Sequence, residues 1–280
     1  KNYRSAISAI HRGFPDGSSV SDNQPLKHLT RGMFAERPPT RHLIPAWDLG
    51  QVLHMLTGPP FEPIGQATLL HMSIKLAFLL AVATSRRGSE LQALSTATGH
   101  IRWEPGGVRF VPTVGFLTKN QTASFDPPDI FVPSIESESG VPSDKLWCPV
   151  RALKWYLSRT KHLRGDTQQL FITTIHPHRP AARDTIARWV VSAIKFANPN
   201  WQTPADGNVQ QRLHAHDVRA IFASWAYFRG VPIADICKAA CWKSPSTFSS
   251  CYLRDVLQSE GISGKTVLTA AKVTTQKTTS

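Results

Sequence analysis

Apolar residues recur at helical spacing along most of this chain, and the run is broken once by an alternating, strand-like stretch. Tyr3 to Arg12 and Leu26 to Glu36 predict two short helices, separated by the turn-rich Phe14-Pro15-Asp16-Gly17-Ser18-Ser19. Arg37-Pro38-Pro39-Thr40-Arg41 reads as a stiff, basic, extended linker, because proline blocks a helix and restricts the residue before it. These breaks predict a small helical unit over 1–36, a linker over 37–43, a main domain over 44–258 and a flexible tail over 259–280, where Lys, Thr, Ser and Gly dominate.

Within the main domain, Leu49, Val52, Leu53 and Leu56 give an amphipathic helix over Trp47 to Leu56, stopped by Gly58. A long apolar helix is expected from about Gly65 to Thr84. Leu91 and Leu94 mark a shorter one after Arg87. Ile101-Arg102-Trp103 and Val108-Arg109-Phe110-Val111 flank Pro105-Gly106-Gly107 as a hairpin, and Phe116-Leu117 and Ile130-Phe131-Val132 add extended pieces. Pro149 suits the first turn of a helix carrying Leu153, Trp155, Tyr156 and Leu157. Ile186, Val190 and Ile194 mark the next helix; Val218, Phe222 and Trp225 mark another, ended by Gly230. Short helices over Ile233 to Ala240 and Ser246 to Leu253 follow, with no internal repeat. The fold class is mainly helical α+β with a small antiparallel sheet.

Composition narrows the partners. A chain of 280 residues with 41% hydrophobic and 18% charged residues can bury a core. Leu69 to Ala83 is the most apolar run, but His71, Ser73 and Lys75 interrupt it, so it reads as a core helix and not a membrane span. A first residue of Lys1 is expected of a fragment. The formal charge of +13, spread along the chain, points to a polyanion, with nucleic acid favoured over a membrane surface. Four cysteines are too few for a disulfide scaffold and fit a reducing compartment. Cys237, Cys241 and Cys251 near His214 and His216 lack paired zinc spacing; Cys237 and Cys241 read as core residues one helical turn apart.

The candidate chemistry lies in an ordered set: Arg87, Lys119, His216, Arg219, Trp242 and Tyr252. His216 and Arg219, three apart on a helix, share a face, with the stripe of Val218, Phe222 and Trp225 to its side. Glu90, one turn after Arg87, is expected either to hold its guanidinium or to form an ordinary surface pair; Arg86 is expected to face solvent or a DNA backbone. A guanidinium fork matches two phosphate oxygens, and two forks neutralise charge that builds on phosphorus during in-line attack. Of the four tyrosines, Tyr3 lies outside the main domain and Tyr156 and Tyr227 sit in apolar helical patterns as core or boundary residues, which leaves Tyr252 as the nucleophile. A phenol titrates near pH 10, so ionising one at pH 7 costs about 4 kcal/mol, and a general base is required; His216 is the candidate. Lys119 is placed to protonate a departing 5′ oxygen, and Trp242 to donate its indole N–H to a phosphate oxygen.

These residues resemble the motifs of the tyrosine recombinase (phage integrase) family. Arg87-Gly88-Ser89-Glu90-Leu91 resembles its first-arginine box, His216-Asp217-Val218-Arg219 its His-x-x-Arg box, Lys119 its hairpin lysine, Trp242 its His/Trp position and Tyr252 its nucleophile. Leu146-Trp147-Cys148-Pro149-Val150-Arg151-Ala152-Leu153 and Cys251-Tyr252-Leu253-Arg254 are similar to recombinases of eukaryotic DIRS-type retroelements. The resemblance covers about Arg41 to Asp255, and residues 1–36 resemble the end of a helical core-binding domain. It implies a DNA recombinase or integrase of a mobile element. Such an enzyme acts through a 3′-phosphotyrosine without metal or other cofactor, as a homotetramer on double-stranded DNA, and in the nucleus. Two departures stand out: Trp242 replaces the commoner His, and Tyr252 follows it by ten positions where many members have nine, the ninth being Cys251. A type IB topoisomerase-like enzyme and a non-catalytic helix–turn–helix DNA-binding protein, with Ile233 to Leu253 as the motif, are the alternatives.

Overall fold

The computed structural model describes residues 2–38, 47–111, 113, 116, 129–135, 141–199 and 213–256. The chain divides into two compact units, Lys1–His42 and Leu43–Ser280. The first unit holds α1 (Asn2–Ile10) and α2 (Gln24–Glu36). α2 begins where the Asn23 side-chain Oδ1 accepts from the Leu26 N–H at 3.2 Å, two residues ahead of the expected start. Val20 is its buried apolar residue among those described.

The second unit is built around one helix that is buried on nearly every side. α3 (Leu49–Met55) is capped by Asp48, whose carboxylate accepts from the Gln51 N–H at 2.7 Å. α4 (Leu69–Thr84) starts four residues later than the apolar run predicts. Pro59, Pro60 and Pro63 force turns upstream, and the Thr68 hydroxyl accepts the His71 N–H at 3.2 Å. From Met72 to Ala81 every residue of α4 is buried, against α6 (Pro149–Thr160) and α7 (Arg183–Ala197) among others. Ser73 and Lys75 are included. Ser73 satisfies its hydroxyl on the Leu69 carbonyl at 2.7 Å. Lys75 donates to the Leu56 carbonyl at 2.8 Å and to Glu62 at 2.5 Å. No helix among the described residues is long and apolar enough to cross a membrane.

β1 (Ile101–Glu104), β2 (Gly107–Phe110) and β3 (Ile130–Pro133) form an antiparallel sheet in that order, as the alternation predicted. Ile101, Phe110 and Ile130 stand opposite one another on the core face; Arg102, Arg109 and Phe131 form the row facing outward. Of the remaining extended pair, Phe116 carries no regular structure and Leu117 lies outside the described residues. A Cβ at Gly107 would overlap the Val132 carbonyl and come within 2.6 Å of the Phe131 ring. Gly107→Ala is therefore expected to lower unfolding stability by about 1–3 kcal/mol in a urea titration, because backbone cannot move aside as a side-chain tip can.

The remaining helices are α5 (Gly88–Gln92), α8 (Ala215–Phe228), α9 (Ile233–Ala239) and the short α10 (Pro245–Thr247). Gly230 at φ +84° ends α8, as its sequence position implied. The expected helix over Ser246 to Leu253 is not a single α-helix: after α10 the chain takes a π turn over Phe248–Tyr252. Residues 259–280, read as a tail, lie outside the described residues.

Candidate active site

Four separated pieces of sequence meet beside α5, and each arrives by a local device. α4 ends when Ser85 takes a left-handed backbone, φ 51°, which turns the chain so that Arg86 and Arg87 follow on a new heading. Arg87 is the N-cap of α5; its backbone N–H donates to Glu90 Oε2 at 2.6 Å. α8 brings His216 in its first turn and Arg219 one turn on. α9 delivers Trp242 just beyond its end, and the π turn delivers Tyr252.

Tyr252 stands at the centre. Its hydroxyl lies 2.8 Å from His216 Nε2, and its ring stacks on Trp242 at 4.4 Å between centroids, 29° apart in plane. The Arg219 guanidinium lies 5.1 Å from the Trp242 ring and 5.8 Å from that of Tyr252. The ten positions from Trp242 to Tyr252 end in a π turn, which takes up one residue more than an α turn. Cys251, at the ninth position, is exposed with its sulfur 3.5 Å from Ser250 Oγ. Ser224 pins the chain just after Tyr252, accepting the Arg254 N–H at 2.8 Å. Tyr156 is fully buried, its hydroxyl accepting from the Ile172 N–H at 3.1 Å; burial holds its phenol above the ordinary range. Tyr227 is more exposed than its apolar pattern implied, at 40%, and packs on Phe248.

Arg219 is 2% exposed, so the polar pair on α8 is split between an exposed His216 and a buried guanidinium. The expected side stripe is correspondingly different: Val218 is buried, but Phe222 and Trp225 are only half-buried, and Ala220, Ile221 and Ala223 fill the core. Arg219 Nη2 donates to the Ala240 carbonyl, and Nη1 lies 3.7 Å from Glu90 Oε2. Its pKa falls to about 10, first because burial strips water from the charge and second because Arg87 stands near it; Glu90 and Tyr252 oppose the fall. Arg87 and Arg219 are thus brought within electrostatic reach of each other. Among the described residues, Arg87 Nη1, Arg219 Nε and Nη1 and Trp242 Nε1 are buried donors with no hydrogen-bond acceptor. Buried donors left in this state are costly; those of Arg219 and Trp242 sit on residues packed against the Tyr252 ring, Arg87 lies within electrostatic reach of Arg219, and together they suit an anion with several acceptor oxygens.

Two expectations are corrected. Arg86 is not a solvent-facing side chain: it is 7% exposed, with Nη1 at 2.6 Å from Cys241 Sγ and 3.5 Å from Glu90 Oε1. Glu90 is no surface partner of the Arg87 side chain either. It is buried, takes Arg87 by its backbone and shares its carboxylate between Arg86 and Arg219. Sequence spacing could have flagged Arg86, four residues before Glu90; the link to Cys241, 155 positions away, has no sequence signal. Cys237 and Cys241 are buried, in agreement with their reading as core residues, but they are not one turn apart on a helix: α9 ends at Ala239 and Cys241 takes a left-handed backbone beyond it. Lys119 lies outside the described residues.

No protein-family model and no curated protein matches the sequence. Solved structures are similar in shape. The site-specific recombinase XerH in a post-cleavage complex with its palindromic difH substrate shares 16% identity and a TM-score of 0.54, over 88% of this chain and 58% of that one. Its pre-cleavage complex shares 13% identity and a TM-score of 0.51, over 96% of this chain and 69% of that one. XerA recombinase shares 17% identity over 90% and 76% of the two chains, at a TM-score of 0.49. The two XerH likenesses, with a helical domain holding a small three-stranded antiparallel sheet, establish that this chain has the tyrosine recombinase fold.

Proposed function

We propose that this protein is a DNA recombinase, cutting and rejoining strands through Tyr252. The observation that carries the reading is the Tyr252 hydroxyl at 2.8 Å from His216, with its ring against Trp242 and the Arg219 guanidinium, Arg87 within electrostatic reach of Arg219, and buried donors on all three residues that have no protein acceptor. A backbone phosphate supplies the oxygens those donors lack. The phenol oxygen attacks phosphorus, a Tyr252–phosphate bond forms, the P–O5′ bond breaks, and the phenolic proton passes to His216 Nε2. The leaving 5′ oxygen takes a proton from Lys119, the role the family resemblance gives that residue. The 5′-hydroxyl of a partner strand then attacks the phosphotyrosine and frees Tyr252, so bond energy is conserved and neither metal nor ATP is consumed. Arg87 and Arg219 stabilise the charge that builds on the equatorial oxygens, and the burial of their donor atoms strengthens them.

The wider reading follows the same resemblance: a homotetramer on two duplexes, an integrase of a retrotransposon-like mobile element, and action in the nucleus. A formal charge of +13 suits the DNA partner. The test is a pool of nicked duplexes with randomised sequence, which traps the covalent step when the cut end diffuses away. A DNA–protein adduct stable to denaturation, mapping by peptide sequencing to Tyr252, is the expected result; an adduct on any other residue, or none with the intact chain, overturns the reading. His216→Ala is expected to slow single-turnover cleavage by roughly 10²–10⁴-fold at unchanged DNA affinity, the usual contribution of a positioned base. Plasmid relaxation with no sequence requirement would favour the topoisomerase-like alternative.

A further inference from the structure

We propose that Cys241 is a positioning residue whose sulfur holds the Arg86 guanidinium and thereby leaves Glu90 to set the place of Arg219. The inference rests on the recombinase reading for its consequence and on geometry for its substance. Among the described residues, Ser85 at φ 51° and Cys241 at φ 49° are the non-glycine residues with a left-handed backbone. They flank one contact: Ser85 launches Arg86, and Cys241 receives it at 2.6 Å. An L side chain is disfavoured in that conformation and glycine is not, so a residue with a Cβ at this position is held there by what its side chain does.

The surrounding connections show what that is. Arg86 and Arg219 both approach Glu90, at 3.5 Å and 3.7 Å, and both cations are buried. One carboxylate between two guanidiniums cannot satisfy either fully. Cys241 Sγ accepts from Arg86, while the preceding Ala240 carbonyl accepts from Arg219. The dipeptide therefore gives each arginine its own second acceptor and keeps them from competing for Glu90. Trp242 follows at once, so the same turn fixes the indole that stacks on Tyr252. The thiol takes Arg86 and acts through Arg86 and Glu90.

Full-length Cys241→Ala, Cys241→Gly and Cys241→Ser chains separate this from a merely structural role. C241A and C241G are expected to cleave nicked DNA roughly 10- to 100-fold slower at unchanged DNA affinity, since a small displacement of a phosphate-binding group has that effect. C241S, whose hydroxyl accepts from Arg86, is expected to recover most of the rate. C241G should nonetheless melt about 2–4 °C above C241A, because glycine removes the left-handed penalty. Stability and rate moving apart supports the proposal; C241G cleaving like the wild type, or C241S remaining as slow as C241A, overturns it. If the wild-type chain forms no adduct, the recombinase reading has failed, and nitrogen-15 spectra of the arginine side chains decide the contact. Hindered rotation of the Arg86 guanidinium in wild type and C241S but not C241G supports it, and identical signals in wild type and C241G overturn it.

Discussion

Tyr252→Phe is expected to abolish the covalent DNA adduct, with cleavage falling below detection, while the melting temperature and DNA affinity stay close to those of the wild type. The substitution removes one oxygen and leaves the ring. That ring supplies what the fold uses: its stack on Trp242 at 4.4 Å and its contact with the Arg219 guanidinium. The lost hydrogen bond goes to His216, which is exposed and regains its partner from water, so the stability change is small. Catalysis, by contrast, loses the atom that bonds to phosphorus. Removing a covalent nucleophile elsewhere costs on the order of 10⁶ in rate, and the donors that remain can bind the phosphate but cannot replace the attack. The check is a denaturing gel of wild type and Y252F on the same nicked duplex, with filter binding alongside. An adduct of Y252F at wild-type yield would mean that another residue is the nucleophile. Exposed Cys251 is the neighbour to map first.

Much of this arrangement was legible before any coordinate, and the parts that were not share a cause. Helix identities followed from periodicity because the apolar stripe itself is what makes a helix stable in a domain, as Ile186, Val190 and Ile194 show by being buried together. The start of α4 was misplaced because an apolar run does not reveal where the first free N–H groups are capped; Thr68 decides that. Elimination points to Tyr252 as the candidate, but the π turn that positions it has no such signal. A π turn departs from α periodicity by one residue, and periodicity sees only the average rise. The partners of buried charge were the least visible. Arg86 looked like a surface cation because its sequence neighbours are polar, yet Cys241 and Glu90 make its burial tolerable. Such pairings are fixed by which elements the fold brings together, and a single sequence does not carry that information.

The same blindness hid a buried ion cluster beside α4. Glu62→Ala is expected to lower unfolding stability by about 3–5 kcal/mol, the usual cost of leaving a buried charge without its counter-ion. Glu62 accepts from Lys75 at 2.5 Å and from Arg151 Nη1 and Nη2 at 2.7 Å and 3.1 Å, and it also accepts the Ile64 N–H at 2.8 Å. The side chains of Lys75 and Glu62 are 1% and 8% exposed, so water cannot take over either role. The two partners respond differently to burial. Desolvation works against the charge of both, but in Glu62 the two cations outweigh it and hold the carboxyl below its ordinary range, whereas in Lys75 desolvation prevails and lowers the ammonium. Glu62 is the more favourably charged member because it has two cations and Lys75 has one anion. A carboxyl depressed on folding contributes stability that is complete above its unfolded pKa of 4.5 and is lost as pH falls through the lower folded value. The gap between wild type and E62A in urea should therefore be full at pH 7 and shrink in acid, below about pH 4.5. Lys75→Met added to Glu62→Gln should recover part of the loss seen in E62Q alone, because it removes the stranded ammonium that costs the most. A loss in E62A below about 1 kcal/mol, or a double variant less stable than E62Q, would show that the α4 core is held by packing alone and that this ion cluster contributes little.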